Sequence, residues 1–220
     1  LRAALTAARS GILAPLAARA VRAATLAQAR RFIAESDPLE AARAALEERE
    51  SGRGFTLDLL GEAVTSDADA DAYAAAYGTL LRELPPLAAG WPDDPLVDEG
   101  PDGPMPRVNV SIKLSALDSQ FDAIDPEGTR KRVLGRLRPL LRLARSKGAQ
   151  VHVDMESHAT KDLTLDIFRA VAMEDEFRDW RDFGVVIQAY LRDAVRDLPE
   201  LAAWARRRGT PVWVRLVKGA

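Results

Sequence analysis

Charged and polar residues sit where apolar, strand-like runs end, and they do so repeatedly along the chain. Lys113 and Ser115 close the run that starts at Val108, and Asp154 and Glu156 follow Val151-His152-Val153. Gln188 and Tyr190 follow Val185-Val186-Ile187, and Arg215, Lys218 and Gly219 lie in or after Val212-Trp213-Val214. Asp58 and Glu62 belong to an earlier run that begins at Phe55. Burying a charge without a partner is costly. Lys113, Asp154 and Arg215 are therefore expected to face one another, which would pair their charges and create a ligand site at once. Two readings follow from the residues alone: a functional cluster, or a structural network of ion pairs at a rim of strand ends.

Other chemistries are excluded or disfavoured. The chain has no Cys, so disulfides, thiolate metal sites and Cys nucleophiles are absent, and only His152 and His158 carry imidazoles. A multi-His zinc site is not expected. The sequence contains no GxGxxG turn, no GxxxxGK[ST] loop and no HExxH. A flavin lying across strand ends needs none of these signatures. With 31 Lys+Arg against 33 Asp+Glu, the net charge of -2 argues against a nucleic-acid partner. No stretch approaches the ~20 apolar residues of a membrane span, so a cytoplasmic location is expected.

The elements that must position these residues read as an alternation of strands and helices. Residues 1–50 read as helices, with Leu13, Leu16, Ala17 and Ala20 at helical spacing, and Asp37-Pro38 restarts the helix as N-cap and first turn. A strand near Phe55–Leu60 and a helix from Asp67 to Leu84 follow, the helix closed by Pro85-Pro86; residues 90–106 read as a peripheral or mobile loop. Strands are then expected at 108–115, 149–155, 184–190 and 211–217, and helices at 127–147, 161–171 and 195–207. Near-continuous apolar runs such as Val185-Val186-Ile187 and Val212-Trp213-Val214 suggest strands buried on both faces of a parallel sheet. Sites in such sheets and barrels collect at the C-terminal strand ends. Glu156, His158 and Arg206-Arg207-Arg208 are expected to face solvent, and Trp204 and Trp213 to pack in the core.

Five segments in order carry a resemblance. They are Phe55-Thr56-Leu57-Asp58-Leu59-Leu60-Gly61-Glu62, Ser111-Ile112-Lys113-Leu114-Ser115-Ala116-Leu117, Val151-His152-Val153-Asp154-Met155-Glu156, Val186-Ile187-Gln188-Ala189-Tyr190 and Val214-Arg215-Leu216-Val217-Lys218-Gly219-Ala220. Together they resemble the proline dehydrogenase family, most nearly the proline dehydrogenase domain of bifunctional proline utilization A proteins. The resemblance runs from about Gly54 to the last residue, with a weaker helical match before it.

This resemblance implies an α/β fold: a (βα)8 TIM-type barrel, of which about the first five strands are present, at 54–220, preceded by a helical arm at 1–53. It implies FAD-dependent oxidation of L-proline to Δ1-pyrroline-5-carboxylate, with electrons passed to a quinone. A peripheral contact at the inner face of the membrane and a fused aldehyde dehydrogenase domain downstream belong to the same expectation. Carried over by position, Lys113 resembles the cation that receives the proline carboxylate, and Asp154 and Arg215 resemble catalytic residues. Met155, Val186, Gln188, Arg215, Val217, Lys218, Gly219 and Ala220 match cofactor-binding positions; no metal is implied. Asp118 departs from the pattern, standing where many relatives carry His. Relatives continue past Lys-Gly-Ala with further strands and a late helix whose Arg pair also holds the carboxylate, so the chain is expected to be one part of such a barrel. Two alternatives stand beside this reading: a non-catalytic, partner-completed barrel fragment, and another flavin barrel oxidoreductase such as a folate reductase.

Overall fold

The computed structural model describes residues 14–29, 37–61, 63–101 and 103–219 of the 220. Helix α1 spans Ala14–Ala29 and α2 spans Pro38–Glu50. The Asp37 side chain accepts the Leu39 N–H at 2.9 Å and Pro38 fills the first turn, the start that the sequence suggests. The expected arm is therefore helical over its two described stretches; Leu13 and the rest of residues 1–13 and 30–36 lie outside the described residues. The buried face of α2 carries Ala41, Ala42 and Ala45, small residues that allow close packing on α3 (Asp67–Ala88). Ala42 belongs to the main hydrophobic core, so α2 shares that core with the sheet.

Ser66 and Asp69 form a capping box at the start of α3. The helix does not stop at Pro85-Pro86 but runs through both to Ala88. Each proline removes one N–H, yet its fixed φ suits a helix. Leu84 and Ala88 lie one turn apart on the buried face and hold this last turn against the core.

Five parallel strands form one sheet in the order β1 (Leu57–Asp58), β4 (Asn109–Ile112), β5 (Gln150–Val153), β6 (Phe183–Gln188) and β7 (Trp213–Val217). Only Leu57 and Asp58 of the first apolar run pair with the sheet. Helices α3, α5 (Pro126–Ser146), α6 (Lys161–Ala172) and α7 (Ala194–Arg208) alternate with the strands. Side chains alternate across a strand, and here the two faces differ in chemistry. Val110, Ile112, Val151, Val153, Phe183, Val185 and Ile187 are all buried on the helix-covered face. The opposite face carries Asn109, Ser111, His152, Gln188 and Arg215.

That polar face is concave. Arg215 on β7 donates to Ser111 Oγ on β4 at 2.8 Å. Three strand spacings separate β4 from β7, ~14 Å in a flat sheet, more than extended Arg and Ser side chains bridge. The sheet must curl to bring them together. β5 and β6 are buried throughout, as their apolar runs suggest, but β7 is not: Val214 and Leu216 are exposed, since among the described residues no element covers their side.

The segment 90–106, expected as a loop, contains a one-turn helix α4 (Pro95–Asp98) and a hairpin of β2 (Glu99–Gly100) with β3 (Gly103–Pro104). Two arginines organise it around Asp98. Arg49 of α2 is buried, reaches the two Asp98 oxygens at 2.6 and 2.7 Å, and donates to the Pro92 carbonyl at 2.8 Å. Arg107 reaches Asp98 at 3.1 Å and the Trp91 carbonyl at 2.8 Å. The Arg49 hydrogen bonds above all hold the Asp98 carboxyl down at about 2.

A carboxyl depressed in this way stabilises the fold above its unfolded pKa of ~3.9, and that contribution is lost as pH falls through the folded value. Asp98→Asn is expected to lower the melting temperature at neutral pH, with the gap from wild type closing as the pH drops from ~4 toward ~2. Melts across that range test this, and a gap independent of pH would refute it.

Candidate active site

The C-terminal strand ends gather the charges. Lys113 directly follows β4, Asp154 directly follows β5, Arg215 lies within β7, and Asp58 ends β1. Lys113 Nζ forms an ion pair with Asp58 and lies 3.6 Å from Asp154 Oδ2. Arg215 Nη2 lies 3.2 Å from the other Asp154 oxygen, which also accepts the Met155 N–H at 3.0 Å. Asp154 thus stands between two cations, and all four side chains remain partly open to solvent, at 19–32% exposure. A site so arranged can admit an anionic ligand by exchanging partners rather than by exposing a bare charge.

Backbone contacts fix the Lys113 corner. The Tyr77 hydroxyl on α3 accepts the Lys113 N–H at 3.2 Å. Burial above all, and then the carboxylates of Asp58, Glu156 and Asp154, push the Tyr77 phenol up, so it stays neutral. A 3-10 turn, Leu114–Leu117, follows Lys113. Ser115 Oγ donates to Glu156 Oε1 at 2.6 Å and the Ser115 N–H donates to Oε2 at 3.3 Å, tying the exits of β4 and β5 together. Glu156, expected to face solvent, is half-buried because this turn supplies it with donors. His158 is exposed as expected.

The departure at Asp118 has a structural role. Its buried carboxylate accepts from Arg132 Nε on α5 at 2.9 Å, pinning the turn after Lys113 to the helix that follows.

A polar layer lies beneath the site. His152 Nδ1 is 3.0 Å from Asn109 Oδ1, and Asn109 Nδ2 donates to Gln150 Oε1 at 3.0 Å. Because the Asn109 oxygen is the acceptor, His152 carries its proton on Nδ1. Burial, and secondly the charge of Arg215, push His152 down to about 4, so the ring is neutral at physiological pH.

Of the expected cofactor positions, Gln188 ends β6 and its Nε2 donates to the Met155 carbonyl at 3.2 Å, while its buried Oε1 has no hydrogen-bond partner among the described residues. Val186 is fully buried in register with Arg215. Val217 is half-buried and its carbonyl accepts the Ala189 N–H at 2.7 Å; Lys218 is exposed. Gly219 has φ 114°, and a Cβ there would lie 1.9 Å from the Tyr190 ring, so a side chain is excluded on both grounds. Ala220 and Glu62 lie outside the described residues. Sequence reasoning gave no role to Ser111 and did not single out Tyr77. Ser111 had a signal: it stands two residues before Lys113, hence on the same face of the strand.

Comparison with known proteins agrees with this geometry. Residues 41–220 match the family described as proline dehydrogenase. The chain belongs to the proline dehydrogenase family. Within that family, the chain is 30% identical over 209 residues to the bifunctional protein PutA of Escherichia coli strain K12, covering 94% of this chain and 15% of that protein. It is 27% identical to proline dehydrogenase 1 of Bacillus subtilis strain 168, covering 87% of this chain and 52% of the relative. A crystal structure of proline utilization A from Bdellovibrio bacteriovorus, inactivated by N-propargylglycine, superposes with TM-score 0.89 at 41% identity, covering 93% of this chain and 21% of that one. The Corynebacterium freiburgense protein superposes at 0.69 with 31% identity, over 86% of this chain and 18% of that one. The chain thus spans at most about half the length of these relatives.

Proposed function

We propose that this chain is part of a flavin-dependent proline dehydrogenase that oxidises L-proline to Δ1-pyrroline-5-carboxylate. The observation that carries this reading is the Lys113–Asp154–Arg215 cluster at the strand ends of a chain in this family. Residues 54–220 would form the first five strands of a (βα)8 barrel and residues 1–53 its helical arm. In keeping with relatives named bifunctional, an aldehyde dehydrogenase domain would follow, with a membrane quinone as electron acceptor and a cytoplasmic location. Among the described residues no helix is long and apolar enough to cross a membrane.

The residues present fit FAD. The buried Gln188 Oε1, which has no hydrogen-bond partner among the described residues, is an acceptor that an imide N–H can satisfy. Met155, Val186, Gln188, Arg215, Val217, Lys218, Gly219 and Ala220 would hold the cofactor. FAD, when bound, supplies the hydride acceptor, while the protein supplies binding, orientation and charge. Lys113 would take the substrate carboxylate and so orient the amine, a positioning role. Arg215 would offset negative charge that develops near it. Asp154 keeps both cations paired before substrate arrives.

The test is the full-length natural protein with bound flavin. L-Proline is expected to bleach the flavin absorbance, and bound flavin that proline leaves oxidised would overturn the reading. N-Propargylglycine is a secondary amine with a carboxylate, as proline is. It inactivates the Bdellovibrio relative and is expected to inactivate this protein too. Exposed Val214 and Leu216 on β7 favour a second reading, a fragment completed by a partner. A 220-residue product that purifies without flavin and self-associates would support it.

A further inference from the structure

Ser111 has no role in the chemistry above, yet it is a wholly buried hydroxyl between the buried Val110 and Ile112 of β4. Its Oγ meets a side chain 104 residues away, accepting from Arg215 Nη2 at 2.8 Å. That contact is shorter than the 3.2 Å from the same nitrogen to Asp154 Oδ1. The two acceptors differ in kind. Asp154 is charged, and it is already committed to Lys113 on one oxygen and to the Met155 N–H on the other. When an anionic substrate reaches Lys113, these pairings must be exchanged. Ser111 is neutral, sits below the rim and, among the described residues, has no competing charged partner in that exchange. Its register partner, His152, lines the same face and is held by Asn109.

We propose that Ser111 is a positioning residue that holds Arg215 in its working orientation independently of Asp154. This rests on the proposed function for its kinetic consequence, but not for its geometric one. A hydrogen bond to a charged group is worth enough that Ser111→Ala should lower kcat about tenfold, with KM for L-proline changed less than about threefold. Ser111→Thr keeps the oxygen and is expected to restore kcat to within about threefold of wild type.

The experiment uses the full-length flavoprotein and both variants, with steady-state kinetics and crystal structures of each. The expected structural result is an Arg215 guanidinium displaced in Ser111→Ala and restored in Ser111→Thr. An unmoved guanidinium in Ser111→Ala, or equal kcat losses in the two variants, would overturn the proposal. Should Ser111→Ala fail to fold, Ser111→Cys preserves the volume with a weak acceptor and is expected to show the same displacement; an unmoved guanidinium there also overturns it. If the wild-type protein does not reduce its flavin with proline, the functional reading falls, whereas the position of Arg215 in the variant crystals still decides the role of Ser111.

Discussion

Lys113→Ala is expected to raise the KM for L-proline by about 100-fold, with a much smaller fall in kcat, as loss of one charge-assisted contact in a partly desolvated site requires. Two effects act in the same direction. The ammonium that would meet the carboxylate is gone, and the site's charge goes from neutral to negative. Lys113 and Arg215 balance Asp58 and Asp154, so the four side chains sum to zero; without Lys113 they sum to minus one. The remaining carboxylates then repel the substrate's own. L-Prolinamide has no carboxylate, so the variant should process it nearly as well as wild type does. Lys113→Arg keeps the charge but not the point-like ammonium, and should fall between the two. Because the Lys113 backbone is fixed separately by Tyr77, and the turn beyond it by the Ser115–Glu156 contact, the alanine variant should keep its fold. Steady-state kinetics with both substrates decide the matter: equal KM values for proline in wild type and Lys113→Ala would refute the carboxylate role.

What could be read from the sequence follows from what each residue's neighbours reveal. Val185-Val186-Ile187 announces a strand buried on both faces because no polar residue interrupts it, and β6 is such a strand. Lys113, Asp154 and Arg215 were legible as a group because a charge attached to a buried strand must find a partner, and strand ends of a parallel sheet converge. Trp204 was legible as core for a similar reason, sitting on the apolar stripe of its helix. The failures also have causes. Pro85-Pro86 looks like a helix stop locally, but the buried Leu84 and Ala88 outweigh two missing N–H groups. Val212-Trp213-Val214 looks like Val185-Val186-Ile187, yet Val214 and Leu216 are exposed because among the described residues no element covers them, and no local pattern encodes that. Glu156 and Ser111 are partners of side chains far away in sequence. The spacing of Ser111 from Lys113 reveals its face of the strand, but nothing next to either residue in the chain names its partner.

Arg208 is the sharpest such case and carries the second large expectation. In the run Arg206-Arg207-Arg208 before Gly209, all three look like cations offsetting a helix C-terminus in solvent. The first two are exposed, but Arg208 is 3% exposed. The fold selects it because it faces a ring of carbonyls. It donates to Ala172 at 3.0 Å, Phe177 at 2.7 Å, Trp180 at 2.8 Å and Pro211 at 3.3 Å, with its guanidinium 6.0 Å from the Trp204 ring centre. Burial pushes its pKa down, but a guanidinium remains charged at any physiological pH.

Arg208→Met fills similar volume without donors, leaving those buried carbonyls unpaired, and is expected to cost about 3–5 kcal/mol of stability. For a chain of this size that is a fall in melting temperature on the order of 10 °C. Arg208→Lys keeps the charge but cannot reach several carbonyls from one point, so its loss should be intermediate. Three of the four carbonyls belong to the end of α6 and the connection into β6, the strand that ends in Gln188, and the fourth, Pro211, leads into β7. The expected signature is therefore opposite to that of Lys113→Ala: a lower melting temperature, with KM for proline unchanged in the fraction that stays folded. A variant melting within about 2 °C of wild type would show that these carbonyls find other donors, and that Arg208 is replaceable.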